Sequence, residues 1–270
     1  MLGIVGTVPD PDLDILQGPA RLDGDRVSVA GHEVDVQRGT PALLAAALQV
    51  AAHLGRPEIH ASLVGDTGRG DGSRRLYDWL CRHLPDCTCS VLVFHYLQPD
   101  VDWHGRVLLA IEQMTRPPVL IADAGFMYAA KMSGQAGRYD CFTPDLGELA
   151  FLADEQAPHP FYTRGFILHE NNRAEDLIER AYLHDNAAQH LLVKGGTDRV
   201  VERGRVVDRI DAPSSRPWRP SAAPAIPSPA CSPPCARPVM ISCRQPRWRP
   251  APTGCAAPSP GPRRPHRSAN

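Results

Sequence analysis

Aromatic residues make up only 6% of this chain, and lysine is nearly missing: Lys131 and Lys194 stand against 27 arginines. Acidic residues are confined to the first part. Residues 214–270 contain no Asp, Glu or Lys, yet hold 15 of the 28 prolines, nine arginines and four of the eight cysteines. The net charge of -1 is therefore a cancellation, because the remaining 20 basic residues share residues 1–213 with all 30 acids. The basic segment has no amphipathic period and no aromatic interleaving beyond Trp218 and Trp248, which argues against a nucleic-acid-binding surface. No apolar run approaches the roughly 20 residues that a membrane-spanning helix needs. The first ten residues do not pair a basic region with a long apolar one, so a cytoplasmic protein is expected. Paired CxxC spacing is also missing. Cys81, Cys87, Cys89 and Cys141 are expected to be free thiols, since Cys87-Thr88-Cys89 has no His or Cys pair downstream to complete a tetrahedral zinc site.

Up to Pro213, strand-like and helix-like patterns alternate, which predicts an α/β layer fold with a largely parallel sheet. Strands are expected at Gly3–Val8, Ile59–Val64, Ser90–His95, Val119–Asp123 and His190–Lys194, with another starting at Phe142. Val27–Val36 reads as an exposed hairpin arm and Thr197–Ile210 as a hairpin turning at Arg203-Gly204. Helices are expected from Thr40 to Leu54, Ser73 to Arg82, Val107 to Met114 and Ala174 to Leu183. Thr40 is the expected N-cap of the first, Pro41 its first helical residue and Gly55 its stop. Alanines on all its sides predict a helix packed closely against a neighbour. Residues 214–270, rich in proline, are expected to show little regular structure.

Four segments carry candidate chemistry. The glycine-rich Val64–Gly72 stretch follows a strand and precedes a helix, so its amides could cradle a phosphate, or it could be a plain connecting loop. Asp123 ends a buried strand, where a carboxylate serves Mg²⁺, a substrate hydroxyl or a helix N-cap. In Phe142-Thr143-Pro144-Asp145-Leu146-Gly147-Glu148, two carboxylates three residues apart share a face of the first helical turn, which equally describes a capping box. Lys194, followed by Gly195, Gly196 and Thr197, is suited to hold a phosphate at another strand end.

The order of these segments resembles the ribokinase-like superfamily. The Thr143–Glu148 and Val193–Gly196 segments are most similar to those of the ADP- or ATP-dependent NAD(P)H-hydrate dehydratases. That resemblance implies a three-layer α/β fold with a mostly parallel sheet, incomplete at the C-terminus. It also implies phosphorylation of a hydrated nicotinamide by ADP or ATP with Mg²⁺, followed by elimination of phosphate. Lys194, Gly195, Gly196 and Thr197 would bind the nucleotide. Gly39, Thr40, Asp123 and Asp145 would face the substrate, and Glu148 and Asp123 would serve the metal. The dehydratases usually have histidine at the Asp145 position and ribokinase-type kinases often asparagine. A kinase for a sugar or a hydroxymethyl-pyrimidine therefore stands as the alternative, as does a catalytically dead nucleotide-binding protein. The implied partner is hydrated NAD(P)H, with neither nucleic acid nor membrane, and a homo-oligomer is left open.

Both enzyme families need a glycine-rich loop ending in an aspartate that acts as base. The tail has none. Its composition is what a GC-rich gene gives when read out of frame. Back-translating Ser215–Cys231 with permitted codons and shifting the frame yields Pro-Ala-Leu-Glu-Ala-Ile-Gly-Gly-Thr-Gly-Asp-Thr-Leu-Thr-Gly-Leu, which is similar to the dehydratase loop. The catalytic aspartate is thus expected to be missing from the chain as it stands, and residues 214–270 to be out-of-frame translation.

Overall fold

The computed structural model describes residues 1–55, 58–157 and 174–211. The tail expected to lack regular structure lies outside the described residues, as does the domain boundary at residue 213. Eleven strands form one sheet: β1 (Leu2–Val8), β2 (Leu16–Asp23), β3 (Arg26–Val29), β4 (His32–Asp35), β5 (Ile59–Gly65), β6 (Val91–His95), β7 (Val119–Ala122), β8 (Cys141–Phe142), β9 (His190–Val193), β10 (Asp198–Glu202) and β11 (Arg205–Ile210). Their spatial order is β11-β10-β9-β8-β7-β6-β1-β5-β2-β3-β4. The six central strands from β9 to β5 are parallel, with antiparallel strands on both flanks. This is the expected mixed α/β fold with a central, mostly parallel sheet.

The described helices are α1 (Thr40–His53), α2 (Asp71–His83), α3 (Val101–Glu112), α4 (Ala124–Met132), α5 (Leu146–Ala153) and α6 (Ala174–Leu183). Strand side chains alternate between the two faces. Ile4 and Val8 join Leu44 and Ala45 of α1 in one core, while Val5 joins Leu76, Phe94, Phe126 and Phe151 in the other, under α2 to α6. The largest side chains lie in this second core, where Phe94 stacks on Phe126 at 4.2 Å and Tyr77 lies 5.9 Å from the same ring.

Two expectations are corrected. The Val27–Val36 arm is the β3–β4 hairpin, but Val27 and Val29 are fully buried rather than exposed, because β3 joins the sheet through β2 and packs toward α1. α1 does pack closely against the sheet: Thr40, Pro41, Leu44 and Ala45 are buried and Leu43, Ala47, Leu48 and Ala51 half-buried against the same core, while Val50 on the outer side is 58% exposed. The N-cap of α1 is Gly39, with Thr40 already helical. Two elements had not been expected. In β2, Gly18 and Pro19 read as breakers. Pro19 is accommodated because β2 there passes from pairing with β5 (Leu16–Pro19) to pairing with β3 (Ala20–Asp23). The short helix α4 follows Asp123 directly, and the sequence offers it only as the N-cap alternative for that carboxylate.

β1 is followed in space by β5 on one side and β6 on the other. The chain thus reverses its direction across the sheet between β1 and β6, and the carboxyl ends there open the crevice where α/β sheets take ligands.

Candidate active site

Gly6 on β1 is where this crevice begins. A Cβ at Gly6 would stand 2.5 Å from the His95 carbonyl oxygen and 2.5 Å from Thr40 Oγ1, so only glycine lets α1 and β6 approach so closely. The N-cap of α1 explains what Thr40 does instead of capping. Gly39 takes φ 66°, a left-handed conformation that glycine adopts freely. Thr40, fully buried, places Oγ1 3.0 Å from His95 Nδ1. The other ring nitrogen, Nε2, is 3.3 Å from Asp123 Oδ2. Asp123 is the N-cap of α4, its Oδ1 accepting from the Ala124 amide, and the same oxygen accepts from Lys194 Nζ at 3.1 Å. Lys194 Nζ also lies 3.8 Å from Glu148 Oε2. Tyr128 on α4 donates to Glu148 Oε1 at 3.0 Å. A continuous polar chain therefore runs Thr40, His95, Asp123, Lys194, Glu148, Tyr128, fed by the carboxyl ends of β6, β7, β8 and β9.

Its charges are held by the fold. Asp123 and Glu148 are each 14% exposed, and Lys194 is 42% exposed. Burial pushes the Asp123 carboxyl up, but the hydrogen bond from His95 and the Lys194 charge outweigh it and leave it below the usual range. Glu148 lacks that excess of favourable partners. Burial first, then the Asp123 charge, push it up to about 7. Burial works against the Lys194 ammonium, yet the two carboxylates raise it above its ordinary value.

Asp145 and Glu148 form a reciprocal capping box: the Asp145 carboxylate accepts from the Glu148 amide and the Glu148 carboxylate from the Asp145 amide, both at 2.8 Å. Glu148 thus both caps α5 and stands in the cluster, whereas Asp145 is exposed and its carboxylate is occupied as a cap. Beyond Lys194, the turn into β10 serves its own structure. The Gly195 amide donates to Asp198 and the Thr197 hydroxyl to Asp211, while Gly196 adjoins them in the same turn.

The glycine-rich Val64–Gly72 stretch is not a phosphate cradle. Asp66 accepts from the amides of Gly68, Gly70 and Ser73 and from the Ser73 hydroxyl. The amides turn inward onto a carboxylate of the same loop. Burial raises the Asp66 pKa, but these donors hold it below the usual range.

Three residues at the site escaped sequence reasoning, one of them Tyr128, whose hydroxyl reaches Glu148 from α4. His95 was read only as a strand end, and its partners Thr40 and Asp123 lie 55 and 28 positions away. Tyr96, which follows it, is 53% exposed, with φ 54° and its ring edge-on to His95 at 4.5 Å. A large side chain in the left-handed region is a local signal of a functional loop, but it is visible only in the backbone. Tyr96 also flanks Gly39, whose position for a Cβ is 3.7 Å from the ring. A cavity of about 420 Å³ opens at the end of β1 between the β3–β4 hairpin and the start of α1, lined by Val8, Asp10, Arg26, Gln37 and Arg38 among others.

These features define an α/β protein with a mixed-charge cluster at the topological switch point of its sheet. No family model matches the chain. The sequence is 36% identical over 172 residues to "Uncharacterized protein MJ1337" of Methanocaldococcus jannaschii, an alignment spanning 63% of this chain and 69% of that protein. The chain belongs to the family of that archaeal protein. Among solved structures it is similar to phosphofructokinase-2 from Escherichia coli in complex with fructose-6-phosphate, at 13% identity and a TM-score of 0.41, covering 80% of this chain and 82% of that one. It is also similar to ribokinase from Giardia lamblia, at 12% identity and a TM-score of 0.33, covering 75% and 72%. Among the described residues, no helix is long and apolar enough to cross a membrane.

Proposed function

We propose that this protein is a ribokinase-like enzyme that transfers a phosphoryl group from ATP or ADP to the hydroxyl of a small molecule. The observation that carries this reading is the convergence of Asp123, Glu148 and Lys194, with His95 and Thr40 behind them, at the switch point of a parallel sheet. Phosphoryl transfer needs charge stabilisation and positioning more than covalent help from the protein. Lys194 would hold the phosphates as a cation already oriented by two carboxylates. His95 and Thr40 would fix the Asp123 carboxylate toward the acceptor, and Tyr96 would offer a flat face beside it.

The donor set fits Mg²⁺ in its usual manner. Among the described residues no group of three or more metal-binding side chains gathers. Mg²⁺ is ordinarily held by one or two carboxylates with waters and substrate phosphates rather than by an all-protein cage. Glu148 and Asp123 would hold it through those waters. When bound, the ion would supply positive charge that offsets the negative charge of the transferred phosphoryl group.

A second reading rests on the tail, whose residues are compatible, with suitably chosen codons, with a Gly-Gly-Thr-Gly-Asp-Thr-Leu-Thr-Gly string in a shifted frame. It gives the NAD(P)H-hydrate dehydratase activity, which adds elimination of phosphate to the same transfer step. The half-buried apolar row Val93, Ile121 and Leu192, and the open side of α1, support an additional packed element in that frame. As it stands, the chain has no Asp or Glu beyond Asp211. The base shared by both activities is then missing, and this form binds nucleotide without efficient turnover.

The test compares the chain with a version restored to the shifted frame. Each is given Mg²⁺, ATP or ADP, and in turn a sugar panel, hydroxymethyl-pyrimidine and hydrated NADH. A phosphate ester on a sugar or pyrimidine supports the kinase. Recovery of NADH with release of phosphate supports the dehydratase. Nucleotide binding by both versions without any product would support the catalytically dead reading, and no binding by either would overturn the site.

A further inference from the structure

At the opposite, amino end of β1 and β6 lies a second cavity, of about 300 Å³, that the phosphoryl-transfer reading does not use. Cys87, Cys89, His60, His83 and Trp79 line it. Cys87 is half-buried and Cys89 buried, both as free thiols. The Cys89 amide donates to Cys87 Sγ at 3.5 Å. Gly3 on β1 makes room for this pair, since a Cβ there would stand 2.9 Å from Cys89 Sγ. Cα atoms two residues apart lie no more than about 7 Å from each other, near the upper limit for a disulfide. Bending at Thr88 alone would bring them into range.

We propose that Cys87 and Cys89 form a thiol–disulfide exchange site for small disulfides that enter this cavity. In the first step the Cys87 thiolate attacks one sulfur of R–S–S–R. A Cys87–S–S–R bond forms, the R–S–S–R bond breaks, and RS⁻ leaves. The Cys89 thiol then passes its proton to the departing thiolate and attacks Cys87 Sγ, forming the Cys87–Cys89 disulfide and expelling the second RS⁻, which takes its proton from solvent. Two protein thiols are oxidised and one small disulfide is reduced to two thiols.

The surroundings divide the roles. The hydrogen bond from Cys89 is the main influence that lowers the Cys87 thiol to about 6, helped by His60 on β5. Cys89, which gives that hydrogen bond, is raised. Among the described residues, Glu58, 3.4 Å from His60, His83 on α2, Asp86 in the following turn and the Met1 ammonium just before β1 are further charged or titratable groups at this end. With its pKa lowered, Cys87 is ionised to a larger fraction than an ordinary cysteine at mildly acidic pH, and the thiolate is the attacking species.

The test uses the full chain, exposed to glutathione disulfide at pH 6, quenched with acid and mapped by peptide mass spectrometry. The wild type is expected to yield a Cys87–Cys89 disulfide and two glutathione thiols per chain. Cys89→Ser, whose hydroxyl can still donate to the Cys87 sulfur but cannot resolve the mixed disulfide, should instead accumulate glutathione on Cys87, and faster than on Cys81, whose thiol burial raises. Cys87→Ser should leave Cys89 unmodified over the same period. Wild-type chain that stays reduced at this pair, or Cys89→Ser chain labelled at Cys81 as fast as at Cys87, would overturn the proposal.

Discussion

His104 on α3 is fully buried, and lowering the pH should turn it against the fold. Its Nε2 lies 2.9 Å from the Tyr139 hydroxyl and its Nδ1 3.2 Å from Ser133 Oγ, with the Phe126 ring 5.0 Å away. Burial, and then the positive charge of Arg138, hold its pKa down to about 4, against about 6.5 in an unfolded chain. Between those values the unfolded chain binds a proton that the folded one refuses. Stability from this group is therefore complete above about pH 6.5, falls as the pH drops toward 4, and levels off below. A shift of about 2.5 units at about 1.4 kcal/mol each gives a loss of about 3 kcal/mol. The assay is urea denaturation from pH 7.5 to 4 on the wild type and on His104→Gln, whose amide cannot titrate in this range. The variant starts lower at pH 7.5, having lost the ring packing, but should lose about 3 kcal/mol less than the wild type over the series. Parallel curves would refute the reasoning, since the other titrating groups are common to both proteins.

Three further outcomes are expected. Lys194→Met leaves Asp123 and Glu148 facing each other without their shared cation; it should cost about 1–2 kcal/mol in denaturation at pH 8, discounted because Lys194 is 42% exposed, and should weaken nucleotide binding at least ten-fold by calorimetry. Gly6→Ala forces a Cβ onto the His95 carbonyl and Thr40; a loss of about 2–3 kcal/mol is expected by urea titration, and a change under 0.5 kcal/mol would contradict the close approach. Asp66→Asn turns an amide donor toward donors in the Gly68–Ser73 turn and should cost about 2 kcal/mol, with faster proteolysis of that loop as a second readout.

Much of the architecture was legible in the residues, because periodicity and turn chemistry are local. The apolar runs at Gly3–Val8, Ile59–Val64, Ser90–His95 and Val119–Asp123 are buried strands because they have nowhere else to put their side chains. The Asp145–Glu148 spacing announced a capping box that geometry alone could close. What failed locally was decided by neighbours. β2 keeps Gly18 and Pro19 because it changes partners at that point, and Thr40 gives up the cap because Gly39 can take a positive φ and His95 lies within reach of its hydroxyl.

The candidate site divides the same way. Sequence alone marked Asp123, Glu148 and Lys194 as strand-end charges, since a carboxylate or a rare lysine after an apolar run is conspicuous in one dimension. Which of them meet was fixed by the strand order, which sets β6, β7, β8 and β9 side by side and brings residues up to 71 positions apart into a single salt-bridged chain. His95 and Tyr96 entered only there. The glycine-rich loop moved the other way: its composition suited a phosphate, but Asp66 already occupies its amides, and hydrogen bonds satisfied inside the protein leave nothing to offer a ligand.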